Sequence, residues 1–445
     1  MSILDLPQEV VALAFELAIT ECGIGHLPVF ALVCKDWHLL VKHTPRLWGI
    51  IDFSRSNGHV KKQLQRAKAA PLSLAFPKNA WGEYSFTHER RSPIFDLAHN
   101  WVKAELYVDQ LICVHKRSAL PNLEVLTLSS PCSLSLSEAE AFFEDDSGGL
   151  PHNKIHSFTA SALPREWIKG FLGPSIRFFR HDGMLEQGGQ EVEDTHHYLS
   201  RITNAMTIEL EGIRHKTTPV NQPSPIRLPH LRTLSIRNVM FTTQVLNGIS
   251  APELQTLSLD SGDAPSYSLG WGSHLIPWSC GLQGTFFTQW ASQEHLPTNL
   301  HTLDLRGSCM TRDAVPFLAL WLRRLPNLAR LIILSDDIEF SSYPVEANLF
   351  DLLATPRWDE DTQQKQWCLP KLMYLHIETM DQVCDTLRVV RSRNGSIESN
   401  LPPARVRFVD GILCCDGAWS DWEELQTLVD HVCCLCLGCM FSRTM

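Results

Sequence analysis

No apolar stretch of the 445-residue chain reaches the roughly 20 residues that a helix needs to cross a bilayer, so no membrane span is expected. The first residues lack a basic region followed by an apolar core, so no secretory signal is expected either. The 14 cysteines then read as buried thiols in a reducing compartment, not as a disulfide frame, and the expected location is cytoplasmic and/or nuclear. Positive charge is in deficit: 39 Lys and Arg against 49 Asp and Glu leave a formal charge of −10, which argues against a nucleic-acid binder. Catalytic punctuation is also missing, with no GxSxG elbow, no GxxxxGK[ST] loop and no HExxH helix. No enzyme activity and no cofactor are expected. What remains, 44% hydrophobic and 20% charged residues, is ordinary for a soluble globular protein long enough to build a continuous core.

The most informative segment runs from residue 6 to residue 53. Leu6, Val10, Leu13 and Leu17 fall at helical spacing on one face. Val11, Phe15, Ala18 and Ile19 line a second face. A surface helix of a monomer needs one apolar stripe, so two stripes imply two partners, either helices of the same chain or another protein. Asp5 is placed as the N-cap, with Gln8 three residues on as in a capping box and Pro7 in the first turn. Gly23 and Gly25 break this helix, Leu27 to Cys34 start a second, and Trp37, Leu40 and Val41 belong to a third that stops before Pro45.

These residues resemble an F-box, the helical module that docks a protein onto the Skp-type adaptor of a cullin ubiquitin ligase. Leu6, Pro7 and Glu9 match its LPxE opening, Phe15 its IF position, Val33, Cys34, Lys35 and Trp37 its VCKxW core, and Leu47-Trp48 its late LW pair. Ala14 replaces the usual aliphatic residue, and the connection from Ile19 to His26 is a few residues longer than usual. The resemblance implies adaptor contacts at Leu6, Pro7, Glu9, Val10, Phe15, Leu27, Pro28, Val33, Cys34, Trp37, Leu47 and Trp48.

An internal phrase, LPxLxxLxL, decides the rest. It starts at Leu120, at Leu228 and, with alanine in the first place, at Ala251. Leu296-Pro297 opens a fourth copy with one inserted residue; Leu325-Pro326 and Leu369-Pro370 open a fifth and a sixth. From Pro229 to Pro252 is 23 residues and from Pro297 to Pro326 is 29, each one unit; the gaps of 45 and 44 on either side of the latter fit two units each. Degenerate units are placed near Ile155–Phe158, Ile176–Phe178 and Met206–Ile208, with another at Trp101 to Val108 and a strand at Pro71 to Leu74. The pattern resembles an irregular leucine-rich repeat array, in which each coil buries its leucines only against its neighbours. Asp313 to Arg324 reads as a convex-side helix with Ala314, Phe317, Leu318, Trp321 and Leu322 inward, and Val60 to Ala70 as a basic helix.

The side chains between the leucines are candidates for the concave surface. Glu124, Arg232, Gln255, His301, Asp304 and His376 are the chosen substrate-binding candidates, with Thr127, Ser235, Ser258, Ala329, Ile332 and Met373 in the same row. His196-His197, beside Glu191, Glu193 and Asp194, reads as a polar loop and not as a metal site. Cys433, Cys434, Cys436 and Cys439, near His431, leave three readings open: zinc ligation, palmitoylation, or an apolar tail.

The expected fold is therefore α/β: a three-helix F-box over 1–53, a linker with degenerate first repeats over 54–118, a repeat array over 119–412 forming a curved parallel sheet with convex-side helices, and a cap or tail over 413–445. The expected function is substrate recognition for a Skp–cullin–F-box ubiquitin ligase, with partners a Skp-type adaptor, through it a cullin, and an unknown substrate protein. The alternative is a repeat scaffold without a ligase role.

Overall fold

The structure is a computed structural model, and it describes residues 6–52, 57–75, 94, 97–115, 120–130, 154–163, 165–183, 192–213, 226–237, 239, 242–246, 248–260, 287–288, 297–306, 314–335, 348–359, 363–379, 383–395, 404–412 and 419–434. The chain divides into two compact units, Met1–His181 and Asp182–Met445.

The first unit opens with three helices, α1 (Gln8–Cys22), α2 (Leu27–Val33) and α3 (Lys35–His43), followed by a 3₁₀ turn, Pro45–Trp48. Pro7 is the N-cap of α1, with no side-chain cap, and its carbonyl accepts the Val10 and Val11 amides. This corrects the expected Asp5 capping box: Asp5 lies outside the described residues, and Pro7 precedes the first turn instead of sitting within it. Gly23 ends α1 with a φ of 91°, a conformation that costs a glycine little. The Cys34 Sγ accepts the Trp37 amide and caps α3.

Strands follow at once. β1 (Ile50–Asp52), β2 (Leu72–Ala75), β3 (Trp101–Tyr107), β4 (Val125–Ser129), β5 (Ser157–Ser161) and β6 (Phe178–Asp182) lie side by side in chain order. Every pairing from β1 to β5 is parallel. The repeating sheet thus starts at Ile50, well before the first clear copy of the phrase, because a coil needs only its inward apolar positions and not the full phrase. The basic helix is observed at Asn57–Ala67.

In the second unit the strands are β7 (Thr207–Glu211), β8 (Ile226–Arg227), β9 (Thr233–Arg237), β10 (Ile249–Ser250), β11 (Thr256–Asp260), β12 (Thr302–Leu305), β13 (Arg330–Ser335), β14 (Arg357–Asp359), β15 (Gln364–Gln366), β16 (Tyr374–Thr379), β17 (Phe408–Ile412) and β18 (His431–Cys434). Eight of them form a parallel sheet ordered β7-β9-β11-β12-β13-β16-β17-β18. β8 pairs with β10, and β14 with β15 in an antiparallel hairpin.

The phrase explains the coil. Its proline sits second in a turn whose fourth residue donates back to the first, as Leu231 does to Leu228 at 3.2 Å and Leu372 to Leu369 at 3.1 Å. The inserted residue of the fourth copy shifts that turn, so that Leu300 donates to Pro297 at 2.9 Å and a buried Pro297 takes the place of leucine. After the turn, two successive amides converge on one carbonyl of the preceding coil. Gln255 and Thr256 both reach Arg232, His301 and Thr302 reach Gln255, Ala329 and Arg330 reach His301, and Met373 and Tyr374 reach Ala329. The strand leucines then point inward and stack in register: Leu234, Leu257, Leu303, Leu331 and Leu375 are fully buried. At roughly 1.5–3 kcal/mol for each buried leucine, this stack is the main stabilising term of the unit.

Helices back the strands. Val315–Leu322 buries Val315, Leu318, Ala319, Trp321 and Leu322, whereas Phe317, expected inward, is exposed. The helix Val383–Gly395 carries a buried Arg393 that donates to the carbonyls of Leu353, Cys368 and Leu369 and lies over the Trp367 ring. Asn394 bonds both the N–H and the C=O of Val406 and the carbonyl of Leu428, tying this helix to the next two coils. The segment expected to cap the array adds one more coil, a helix over Trp419–Leu428 and then β18 parallel to β17. Cys436 and Cys439 lie outside the described residues, as does the acidic run Glu138–Asp146. Cys433 and Cys434 are the last two residues of the strand β18. Among the described residues no helix is long and apolar enough to cross a membrane, and no group of three His, Cys, Asp or Glu side chains is placed to hold a metal ion. His196 and His197 sit on a helix, Val192–Arg201, and not in the expected loop. His196 faces inward, bonded to the Val245 carbonyl at 2.9 Å, and His197 faces outward.

Candidate functional site

The three N-terminal helices form a small core of their own. Val11, Phe15 and Ile19 of α1 point inward. Phe15 stacks on Phe30 of α2 at 4.6 Å between ring centroids and meets the Trp37 ring of α3 edge-on at 4.7 Å. Leu27, Val41 and Leu47 are buried with them. The opposite stripe of α1 is bare: Leu6, Val10, Leu13 and Leu17 are exposed, the last at 59%. Val29, Leu32 and Val33 of α2 and Leu39 of α3 are exposed as well, Leu32 at 84%. Among the described residues, thirteen large apolar side chains are exposed, and these eight crowd into residues 6–39. Scattered exposed apolar residues are normal on a protein surface; a concentration of them on three short packed helices marks an interaction face.

This division sorts the twelve expected adaptor contacts. Leu6, Pro7, Glu9, Val10, Pro28 and Val33 are exposed. Cys34 and Trp37 are half-buried, one capping α3 and the other packed on Phe15. Phe15, Leu27, Leu47 and Trp48, also expected as contacts, are instead buried in the core of the unit. Leu13, Leu17, Val29, Leu32 and Leu39, which the motif match did not name, are exposed on the same helices, and the i, i+3, i+4 periodicity of α1 already placed Leu13 and Leu17 on one face.

The late LW pair instead joins the helices to the first coil. The Trp48 indole donates to the Val41 carbonyl at 2.8 Å, and the Arg66 guanidinium lies over its ring at 4.3 Å. Gln63 donates to the Ile50 carbonyl, and Ser73 donates to the Gly49 carbonyl at 2.8 Å. A Cβ at Gly49 would run into the Pro71 carbonyl oxygen, so only glycine allows β1 and the chain before β2 this approach. An ion pair, Arg46 to Glu16 at 3.0 Å, braces α1 against the same turn.

The expected concave residues are placed as follows. In the first unit Glu124 is exposed and faces His156 at 3.7 Å. In the second, Arg232, Gln255 and His301 are exposed one residue before their strands, and their carbonyls carry the paired amides described above. His376 is half-buried on β16. Asp304 is buried and takes Arg306 in a two-pronged pair, with Nη2 at 2.7 Å and Nε at 3.0 and 3.1 Å. That hydrogen bonding raises the Arg306 pKa above its ordinary value. Asp304 therefore presents an arginine to solvent, not a carboxylate, which corrects its role. Sequence reasoning also missed three outward strand residues of the second unit, Arg330, Tyr374 and Phe408. The Tyr374 hydroxyl donates to Asp410 at 2.7 Å under the Arg330 guanidinium, and its pKa is pushed up to about 12, by burial first and then by that hydrogen bond.

No protein-family model matches the chain, and no curated protein matches it. Among solved structures it is similar to the crystal structure of a Rad7 and Elc1 complex in yeast, at 16% sequence identity over 92% of this chain and 88% of that one, with a TM-score of 0.36.

Proposed function

We propose that this protein is a substrate receptor of a Skp–cullin–F-box ubiquitin ligase. The single observation that carries the reading is the concentration of exposed apolar side chains on α1–α3, opposite a fully formed small core, in a segment whose residues resemble an F-box. A monomer gains nothing by leaving Leu13, Leu17, Val29 and Leu32 in water. Their burial against a Skp-type adaptor is the gain that drives docking, and the apolar face is of the kind that an adaptor's own apolar groove would cover.

The receptor does no chemistry. Its contribution is proximity: the adaptor links it to the cullin, and the repeats hold a partner protein where ubiquitin is transferred, which raises the effective concentration of that partner's lysines. The packed junction at Trp48, Gly49 and Arg66 supports this reading, because a tethered substrate is presented well only if the docking helices do not swivel on the first coils.

The test is binding of the full chain to a purified Skp-type adaptor, repeated with Leu13→Asp and Leu17→Asp. A complex lost in both variants, each still folded, is the expected result. No complex with the wild-type chain would sink the reading and leave a repeat scaffold with an N-terminal helical cap.

A further inference from the structure

Among the described residues outside the N-terminal helices few large apolar side chains are exposed, and two of them are linked through a backbone hydrogen bond at the sheet of the second unit. Met373 is 46% exposed and Phe408 is 38% exposed, and the Phe408 amide donates to the Met373 carbonyl at 3.0 Å. Phe408 is in register with Tyr374, and Tyr374 with Arg330. Residues in register on parallel strands share a face, so Arg330, Tyr374 and Phe408 make one outward row on β13, β16 and β17. The Arg330 guanidinium lies 4.5 Å from the Tyr374 ring centroid, and Arg407 lies 5.7 Å from that of Phe408.

The carboxylates around this row are already engaged. Asp410 accepts the Tyr374 hydroxyl and faces His431 at 3.6 Å. Asp430 holds Arg407 at 2.6 Å and Arg405 at 3.4 Å, and Asp304 holds Arg306 at 2.7 Å. Arg330 differs: it is exposed and has no ion-pair partner among the described residues. A guanidinium held over an aromatic ring through its carbon keeps N–H donors for a further partner, and their fork matches a carboxylate or a phosphate. Met373, exposed one residue before Tyr374, offers a surface that adapts to different apolar side chains.

We infer that this row, Arg330–Tyr374–Phe408 with Met373, is a docking site for an extended protein segment that carries an anionic side chain close to a large apolar one. The anion takes the Arg330 fork and the apolar side chain lies on Met373 and Phe408. The strands carrying Arg330 and Phe408 are two spacings apart, about 10 Å, which an extended segment covers in about three residues. The inference deepens the receptor reading and rests on it in one respect: the segment would belong to the substrate.

The full-length protein is panned against displayed random dodecapeptides, and the enriched peptide is resynthesised with Glu, Gln or phosphoserine at its acidic position. The expected peptides carry Asp or Glu one to three residues from Leu, Ile, Phe or Met. Their affinity falls about tenfold or more with Arg330→Gln, with Met373→Gln, and with the Gln peptide. Arg227→Gln, an exposed cation on β8 outside this sheet, leaves it unchanged. Tighter binding of the phosphoserine peptide assigns a phosphorylated segment; tighter binding of the Glu peptide assigns an acidic one. Enrichment without an acidic residue, or wild-type affinity in Arg330→Gln, overturns the site. Adaptor binding is measured on the same proteins: its absence alongside intact peptide binding would remove the ligase and leave the docking site standing.

Discussion

Leu32→Ala and Phe15→Ala separate the outward face of the N-terminal helices from their inward one. Leu32 is 84% exposed, so an adaptor docked on this face as proposed would remove nearly its whole side chain from water. Truncating it forfeits about 2 kcal/mol of docking energy, roughly a 30-fold rise in Kd. The free protein loses almost nothing, about 0.5 kcal/mol at most, because an exposed side chain stabilises little. Phe15 is the reverse. Its ring fills the space between Phe30 and Trp37, and its removal costs on the order of 3–5 kcal/mol of local stability. Three short helices cannot absorb that loss, so Phe15→Ala loses the adaptor by unfolding its docking module. The assay pairs calorimetric titration of the full chain with a purified Skp-type adaptor and hydrogen exchange over residues 8–43. Weak binding with wild-type protection is expected for Leu32→Ala, and weak binding with lost protection for Phe15→Ala. The reasoning fails if Leu32→Ala binds within about threefold of wild type, or if it loses binding and protection together.

Three further outcomes follow from the described geometry. Arg393→Met strips the donors from the Leu353, Cys368 and Leu369 carbonyls and should lower stability in urea by about 3 kcal/mol or more, and a loss below about 1 kcal/mol would contradict the role of this clamp. Cys34→Ser replaces a weak sulfur acceptor at the cap of α3 with a hydroxyl and should raise the protection of α3 by about 0.5 kcal/mol, whereas a decrease would mean that Cys34 acts through packing. Tyr374 has a folded pKa of about 12 against an ordinary value of 10, so the stability it contributes is fully present below pH 10 and is lost as pH rises toward 12. The phenolate absorbance of wild type minus Tyr374→Phe should therefore rise near 12, and part of the shift should vanish in Asp410→Asn; a midpoint near 10 would refute it.

How much of this was legible in the sequence depends on which direction a residue faces. The two apolar stripes of α1 were readable from spacing alone, as were the six leucine phrases, because both report what points into a core. The degenerate coils β5, β6 and β7 were located from pairs of apolar residues for the same reason. The motif match worked less well for the site. It weighed Phe15, Leu27, Leu47 and Trp48 equally with Leu6 and Val10, although the first four are buried and the last two are bare. A shared motif records that a residue is needed, and a core contact and a partner contact are needed alike. Only the spacing on one helix, i to i+3 or i+4, separates them.

The outward row of the second unit shows where local reading ends. In LxxLxL the leucines are constrained by the coil, and the positions between them are free to be anything soluble. Asp304 looked like an available carboxylate until Arg306, two residues on, turned out to occupy it. Arg330 and Tyr374 are 44 residues apart, and Tyr374 and Asp410 another 36, yet each pair meets across adjacent strands. No window along the chain contains these pairs. They exist only once the turn at each LPxL has brought every strand into register, so the inward pattern has to build the coil before the outward pattern acquires any meaning. The residues that hold the array together are therefore periodic and visible, and those that would recognise a partner are aperiodic and appear only across strands.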